Sequence, residues 1–161
     1  MKRKDLTFLP VAINITGKKI LIVGGGKVSY HKATVLSRFT GEATVVSPRF
    51  HEGFHALPFT LIKKEYSKDD LEGVSLVYIC TENEQLNGQI KRDAAERGVP
   101  ACVCDNPRLC DFTSPAIFKQ GDICIAVSSG ARDVRRSIAV RNRIEALVKN
   151  GELKIEGDDT V

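Results

Sequence analysis

Lys19-Ile20-Leu21-Ile22-Val23-Gly24-Gly25-Gly26-Lys27-Val28-Ser29 is the stretch that decides the fold. Its first five residues form a β-rich apolar run without polar alternation, the pattern of a strand buried on both faces. The run ends in three glycines, and a helical segment from Lys27 to Phe39 follows. There Val28, Val35, Leu36 and Phe39 can form an apolar stripe, and Gly41 closes the segment. Gly24 to Ser29 fits G-x-G-x-x-[GA], with serine in the last small position. Gly24 allows the tight turn, and Gly26 lets the backbone approach a pyrophosphate. Ser29 must be small where helix meets strand, and the helix N-terminus offers amide donors and the positive end of its dipole. Set between strand and helix, the pattern points to dinucleotide binding. The plainer account is a glycine turn without a ligand.

Ala43 to Val46 is the next strand, stopped by Ser47-Pro48. The stretch from Arg49 to Phe59 is irregular, Leu61 to Glu65 is a third strand, and Asp69 to Leu71 is a short turn or helix. Val74 to Cys80 is another buried strand, Glu84 to Arg97 a helix ending at Gly98, and Pro100 to Cys104 a fifth short strand. Strands separated by helical segments indicate βαβ units and a Rossmann-type parallel sheet, an α/β fold. After Pro107 the pattern changes. Phe112 to Phe118 and Asp122 to Val127 are expected strands joined at Gln120-Gly121. A helix from Asp133 to Lys149 follows, with Ser137, Val140, Ile144, Leu147 and Val148 on one face. The expected division is a Rossmann domain over 1–111, a β-β-α appendage over 112–150 and a flexible tail over 151–161. Such an appendage cannot bury both of its faces alone, so a homodimer is expected.

The 161 residues are 42% hydrophobic and 27% charged, a balance that excludes disordered and low-complexity classes. Nowhere do about 18 apolar residues run together, so no membrane span is expected. Met1-Lys2-Arg3-Lys4 resembles a signal n-region, but Pro10 and Asn14 break the apolar stretch behind it, and a cytoplasmic protein is expected. The odd count of five cysteines argues for reduced thiols. The net charge of +4 admits an anionic partner without choosing one. The absence of Trp and 6% aromatic content weigh against a base-stacking surface, so no nucleic-acid partner is expected.

The second strand lacks the Asp or Glu that commonly holds the adenosine ribose and reads Val46-Ser47-Pro48-Arg49 instead. Ser47 can hydrogen-bond a ribose hydroxyl and Arg49 can take a 2′-phosphate, so the residues leave NAD and NADP both open. Asp105 lies just past the carboxyl end of a predicted strand, where open α/β sheets place ligands. It is a candidate general base, or a turn-starting residue before Pro107. Cys102, Cys104 and Cys110 invite a metal reading, but no histidine lies near to complete a zinc set, and no metal site is expected.

Several segments together resemble the precorrin-2 dehydrogenase module of siroheme synthases. They are Phe8-Leu9-Pro10-Val11, Lys19 to Val28 with Lys32, Thr44 to Pro48, Cys80 to Asn87 and Val103 to Pro107. Leu109 to Phe112, Pro115-Ala116 and Ala126 to Gly130 complete the series, in matching order and spacing. The resemblance implies NAD-dependent oxidation of precorrin-2 to sirohydrochlorin, with ferrous iron as a further substrate in some members. It also implies NAD contacts at Gly24, Gly25, Gly26, Lys27, Val28, Ser47, Pro48, Arg49 and Thr81, and it maps the family's important aspartate onto Asp105. Ser128 and Ser129 would face the tetrapyrrole.

The family commonly reads S-S-G-G-x-S-P where this chain has Ser128-Ser129-Gly130-Ala131-Arg132-Asp133-Val134, a more basic helix start. Arg132, Arg136 and Arg143 lie within about 40° of one another on a helical wheel. They form either a solvated face or, with Arg132 and Arg136 foremost, a surface for the substrate's carboxylates. The helical domain that many members carry after this module is not expected here, and dehydrogenation is expected ahead of iron insertion. The alternative function is a non-catalytic NAD-sensing Rossmann module.

Overall fold

The computed structural model describes residues 6–155. Backbone contacts divide the chain into two compact units, one of Val11–Phe112 and one combining the stretch up to Pro10 with Thr113 onward. The first unit carries the expected α/β fold. Strands β1 (Lys19–Val23), β2 (Ala43–Ser47), β3 (Thr60–Lys63), β4 (Val74–Ile79) and β5 (Ala101–Val103) form one sheet in the order β3-β2-β1-β4-β5. Every pairing in it is parallel. Helix α1 (Lys27–Leu36) links β1 to β2, and α2 (Glu84–Glu96) links β4 to β5.

The continuous apolar strands make sense because both sheet faces are covered. Ile20, Ile22, Val45 and Leu76 pack with Ala33 and Leu36 of α1 and with Phe54 and Phe59. On the opposite face Leu21, Val23, Val77, Ile79 and Val103 pack with Ile90 and Ala94 of α2. A register shift after Lys19 pairs it with Val74 while Ile20 pairs with Leu76. This irregularity turns Val74 to the α2 side despite its even spacing from Leu76.

The buried stripe of α1 differs from the expected one. Ser29, Ala33 and Leu36 face the sheet, while Val28 and Phe39 are exposed and the helix stops at Leu36. The cause is proximity. A helix that starts directly at the glycine turn lies close to β1, so small side chains occupy the contact. Ser29 is fully buried there and its hydroxyl donates to the Gly24 carbonyl at 2.5 Å. The irregular stretch after β2 holds a 3₁₀ turn at Glu52–Ala56, anchored by the buried Phe54. Another, at Lys68–Leu71, is capped reciprocally by Ser67 and Asp70.

In the second unit β6 (Ala116–Gln120) and β7 (Ile123–Val127) pair antiparallel, and α3 (Val134–Lys149) packs on both. β6 begins at Ala116 rather than Phe112, after Pro115, which has no N–H to give a ladder. The turn between the strands uses Gly121 at φ +57. The face of α3 turned inward centres on Ser137 and Ile144, with the Arg141 guanidinium donating to the Ile117 carbonyl at 3.1 Å. Val140, expected inside, is exposed. Within 151–161, residues 156–161 lie outside the described part of the chain. No helix of the described residues is long and apolar enough to cross a membrane.

The tight α1–β1 contact yields a stability test. Ser29→Val should destabilise the protein by about 1–3 kcal/mol through overpacking, whereas Ser29→Ala should cost about 1 kcal/mol for the lost hydrogen bond. Urea unfolding followed by circular dichroism measures both.

Candidate functional site

The carboxyl ends of the parallel strands open into a cleft of about 690 Å³. Its floor is the glycine turn, and each glycine there has a different physical reason. Gly24 sits at φ +115, and a Cβ on it would lie 2.4 Å from the Cys80 carbonyl oxygen. A Cβ on Gly25 would lie 1.9 Å from the Arg49 carbonyl oxygen and 2.8 Å from the Ser47 hydroxyl. Both are excluded by protein backbone. At Gly26 the φ is an ordinary −79°, and the nearest atom to a built Cβ is a Glu82 carboxylate oxygen at 3.9 Å. The protein therefore leaves room at Gly26 that it does not itself use.

Gly26 is also the N-cap of α1, with no side-chain cap on the first amides and no acidic residue in the first turn. Bare amides, the positive dipole end and open space above Gly26 suit a pyrophosphate. The residues present therefore fit a dinucleotide.

Hydrogen bonds beyond the strands hold the cleft walls. Gly24 N–H donates to Val46 O at 2.9 Å, His51 N–H to Gly25 O at 2.7 Å, and Cys80 N–H to Val23 O at 2.8 Å. His51 stacks on Tyr30 with ring centroids 4.6 Å apart, and its Nδ1 accepts from Gly53 N–H at 3.1 Å. Past β4, buried Asn87 of α2 clamps the loop. Its amide donates to the Thr81 carbonyl at 2.9 Å, and Thr81 Oγ1 donates to its Oδ1 at 2.5 Å. Tyr66 forms part of the far wall and donates its hydroxyl to Asp93 at 3.1 Å. Burial first, and Asp93 second, hold that phenol far above its ordinary pKa, so it stays a neutral donor.

Gly24, Gly25, Gly26, Lys27, Val28, Ser47, Pro48, Arg49 and Thr81 all line this cleft, and so does Asp105. Asp105 is exposed at the exit of β5 with φ +68, in the left-handed region that Asp and Asn tolerate better than other side chains. Its loop is tied down by Asp111, whose carboxylate accepts from Ala101 N–H at 2.9 Å and pairs with Lys91. Ser128, Ser129, Arg132 and Arg136 belong to the second unit, around the N-terminus of α3. There Ser129 Oγ accepts from Asp133 N–H at 2.9 Å, and Asp133 caps the helix through Arg136 N–H. Glu65, Tyr66, Glu82 and Leu86 also line the cleft and were not singled out from the sequence. Glu65, Tyr66 and Glu82 lie just beyond strand ends, and Leu86 lies in the first turn of α2.

The expectation of reduced thiols is corrected at one pair. Ile79 and Val103 are register partners on β4 and β5, so the next residues, Cys80 and Cys104, meet side by side at the cleft. They form a disulfide, with Cα atoms 5.1 Å apart. A separation of 24 residues hid a pair that only the strand register brings together. Cys110 lies 4.0 Å from the Cys102 sulfur and accepts from Val103 N–H at 3.2 Å. These contacts, Cys102 first, draw the Cys110 thiol down to about 7 against the opposing effect of burial. Among the described residues no three His, Cys, Asp or Glu side chains gather as a metal site.

Gly25→Ala should disrupt the fold, because its methyl meets backbone. Gly26→Ala should lower the unfolding free energy by only about 1 kcal/mol, the loss of a favourable N-cap residue, but weaken NADH binding at least tenfold by fluorescence titration. For the thiols, the denatured chain should show three reactive groups before reduction and five after it. In the native protein, Cys110 alkylation followed by mass spectrometry should accelerate as pH rises through about 7, as its thiolate forms.

Residues 11–116 match the family model described as putative NAD(P)-binding. The chain is 35% identical over 150 residues to siroheme synthase of Psychrobacter sp. (strain PRwf-1), covering 91% of this chain and 31% of that protein. It is 32% identical over 147 residues to siroheme synthase of Nitrosococcus oceani, covering 89% and 31% respectively. It thus spans about a third of the length of the curated relatives it matches. Among solved structures, SirC, precorrin-2 dehydrogenase, superposes with a TM-score of 0.76 at 17% identity, over 86% of this chain and 70% of that one, a likeness of fold. With the glycine cradle, the uncapped helix start and a family model covering most of the chain in agreement, the protein belongs to the putative NAD(P)-binding family.

Proposed function

We propose that the protein is a precorrin-2 dehydrogenase, oxidising the tetrapyrrole to sirohydrochlorin with NAD in siroheme biosynthesis in the cytoplasm. The observation that carries this reading is that Asp105 lines the same cleft as the glycine cradle at Gly26. Support for the substrate comes from relatives named siroheme synthase, 35% and 32% identical to this chain.

The net change removes two hydrogens from the macrocycle, one as hydride and one as proton. Bound NAD supplies the hydride acceptor. The chain's own residues do the rest. Gly24 to Val28 seat the pyrophosphate against the α1 amides, and Thr81, clamped by Asn87, closes the wall beside it. Ser47, Pro48 and Arg49 bound the cleft past β2. Asp105 receives the proton, and its exposed carboxylate at a strand end can also orient pyrrole N–H donors.

The second unit supplies the remaining functions in this reading. Arg132 and Arg136, with Ser128 and Ser129, offer guanidinium and hydroxyl donors to the acetate and propionate arms of the substrate. Val134 and Ile138, one turn apart on α3, are 62% and 39% exposed. Together with exposed Ile123 on β7 they present apolar surface that a second copy would cover, so the working form is a homodimer. The domain assignment follows: a Rossmann domain to about residue 111 and a dimerisation and substrate-binding segment over 112–150.

Asp105→Asn tests the assignment cleanly, because Asn accepts the same left-handed backbone. In an anaerobic assay with precorrin-2 and NAD, the variant should lose about 100-fold or more in turnover while binding NADH normally. Full activity in the variant would remove Asp105 from the chemistry. Wild-type protein that binds NADH yet never turns over precorrin-2 would favour an NAD-sensing module instead.

A further inference from the structure

We propose that Glu65 sets the nucleotide preference by holding the adenosine ribose diol from the exit of β3 and repelling a 2′-phosphate there. The inference rests on the dinucleotide reading of the cleft and adds the residue that discriminates between the two nicotinamide cofactors.

The position usually given to an acid, the end of β2, holds Ser47-Pro48-Arg49. The Ser47 hydroxyl is turned back into its own loop, where it accepts from Arg49 N–H at 3.4 Å. β3 is the parallel neighbour of β2. Ser47 is the register partner of Lys63, and Lys64 N–H donates to Ser47 O at 3.2 Å. The next residue, Glu65, therefore leaves the sheet directly beside the end of β2 and lines the cleft.

Glu65 is exposed and has no ion pair among the described residues. The neighbouring Lys64 ammonium is engaged by Asp70 at 2.7 Å. The other cleft carboxylates lie elsewhere. Glu82 stands over Gly26 at the phosphate end, and Asp105 sits at the exit of β5. Glu65 is thus the carboxylate on the β2–β3 side. Its backbone is steadied by Tyr66, which packs on the core and is anchored to Asp93.

The chemistry is direct. A carboxylate has two oxygens to accept from the two hydroxyls of a vicinal diol. A 2′-phosphate in the same place brings like charges together, while Arg49 on the same side would favour it. Glu65 opposes Arg49 there and tilts the cleft to NAD.

The test is binding, without tetrapyrrole: fluorescence titration of the whole chain with NADH and with NADPH. Glu65→Gln should shift the affinity ratio toward NADPH by about tenfold or more, a single screened charge interaction. Glu65→Asp should stay close to wild type in ratio. The double variant Glu65→Gln/Arg49→Gln should lose the gain for NADPH. An unchanged ratio in Glu65→Gln, or an equal loss for both nucleotides, overturns the assignment. If the wild-type protein binds neither nucleotide, the dinucleotide reading itself fails, and this inference fails with it.

Discussion

The structure depends on the close approach of three backbone segments at the end of β1. Gly24 and Gly25 bring the chain against the Cys80 and Arg49 carbonyls at separations that leave no room for a side chain. Hydrogen bonds from Gly24 to Val46, from His51 to Gly25 and from Cys80 to Val23 close the same junction. Because β1 is the central strand of five, this junction ties its neighbours β2 and β4 at the point where ligands enter open α/β sheets. Every other feature of the cleft is placed relative to it. The helix start at Gly26, the Thr81 loop and the turn bearing Arg49 all leave from strands locked there.

One consequence is a division of labour among residues that look alike in sequence. Gly24 and Gly25 serve the protein, and Gly26 serves what the protein binds. Ser29, in the same motif, serves the helix contact by being small and by satisfying its own hydroxyl on Gly24. The fold thus separates stability from recognition within six consecutive residues. Asp105 follows a similar logic at the opposite edge of the cleft. Its backbone is in a conformation that few residue types accept, and its carboxylate is left to the solvent side.

Much of the fold was legible because its strands are continuous apolar runs punctuated by glycine. Lys19–Val23 and Val74–Ile79 could hardly be anything else, and the helices between strands carried the parallel topology. What stayed hidden depended on contacts between distant residues. On α1 the apolar Val28 and Phe39 are exposed, while closeness to β1 selects Ser29 and Ala33 for the buried face. β6 starts at Ala116, later than the apolar run from Phe112, because Pro115 has no N–H for the ladder. The Cys80–Cys104 pair follows from the β4–β5 register, which no local pattern encodes. At the cleft, the glycine motif was visible at once, whereas Glu65 and Asn87 acquire meaning only when β3 and α2 are set beside it.

The Asn87 clamp on Thr81 has a thermodynamic side. A loop that must be ordered when a ligand arrives charges its lost conformational entropy against affinity. Here two hydrogen bonds exchanged with a buried amide already hold Thr81, and the β1 junction already holds the turn that bears Arg49. Binding at such a preformed wall demands little rearrangement of the host, so the unfavourable entropy falls mainly on the flexible nucleotide itself.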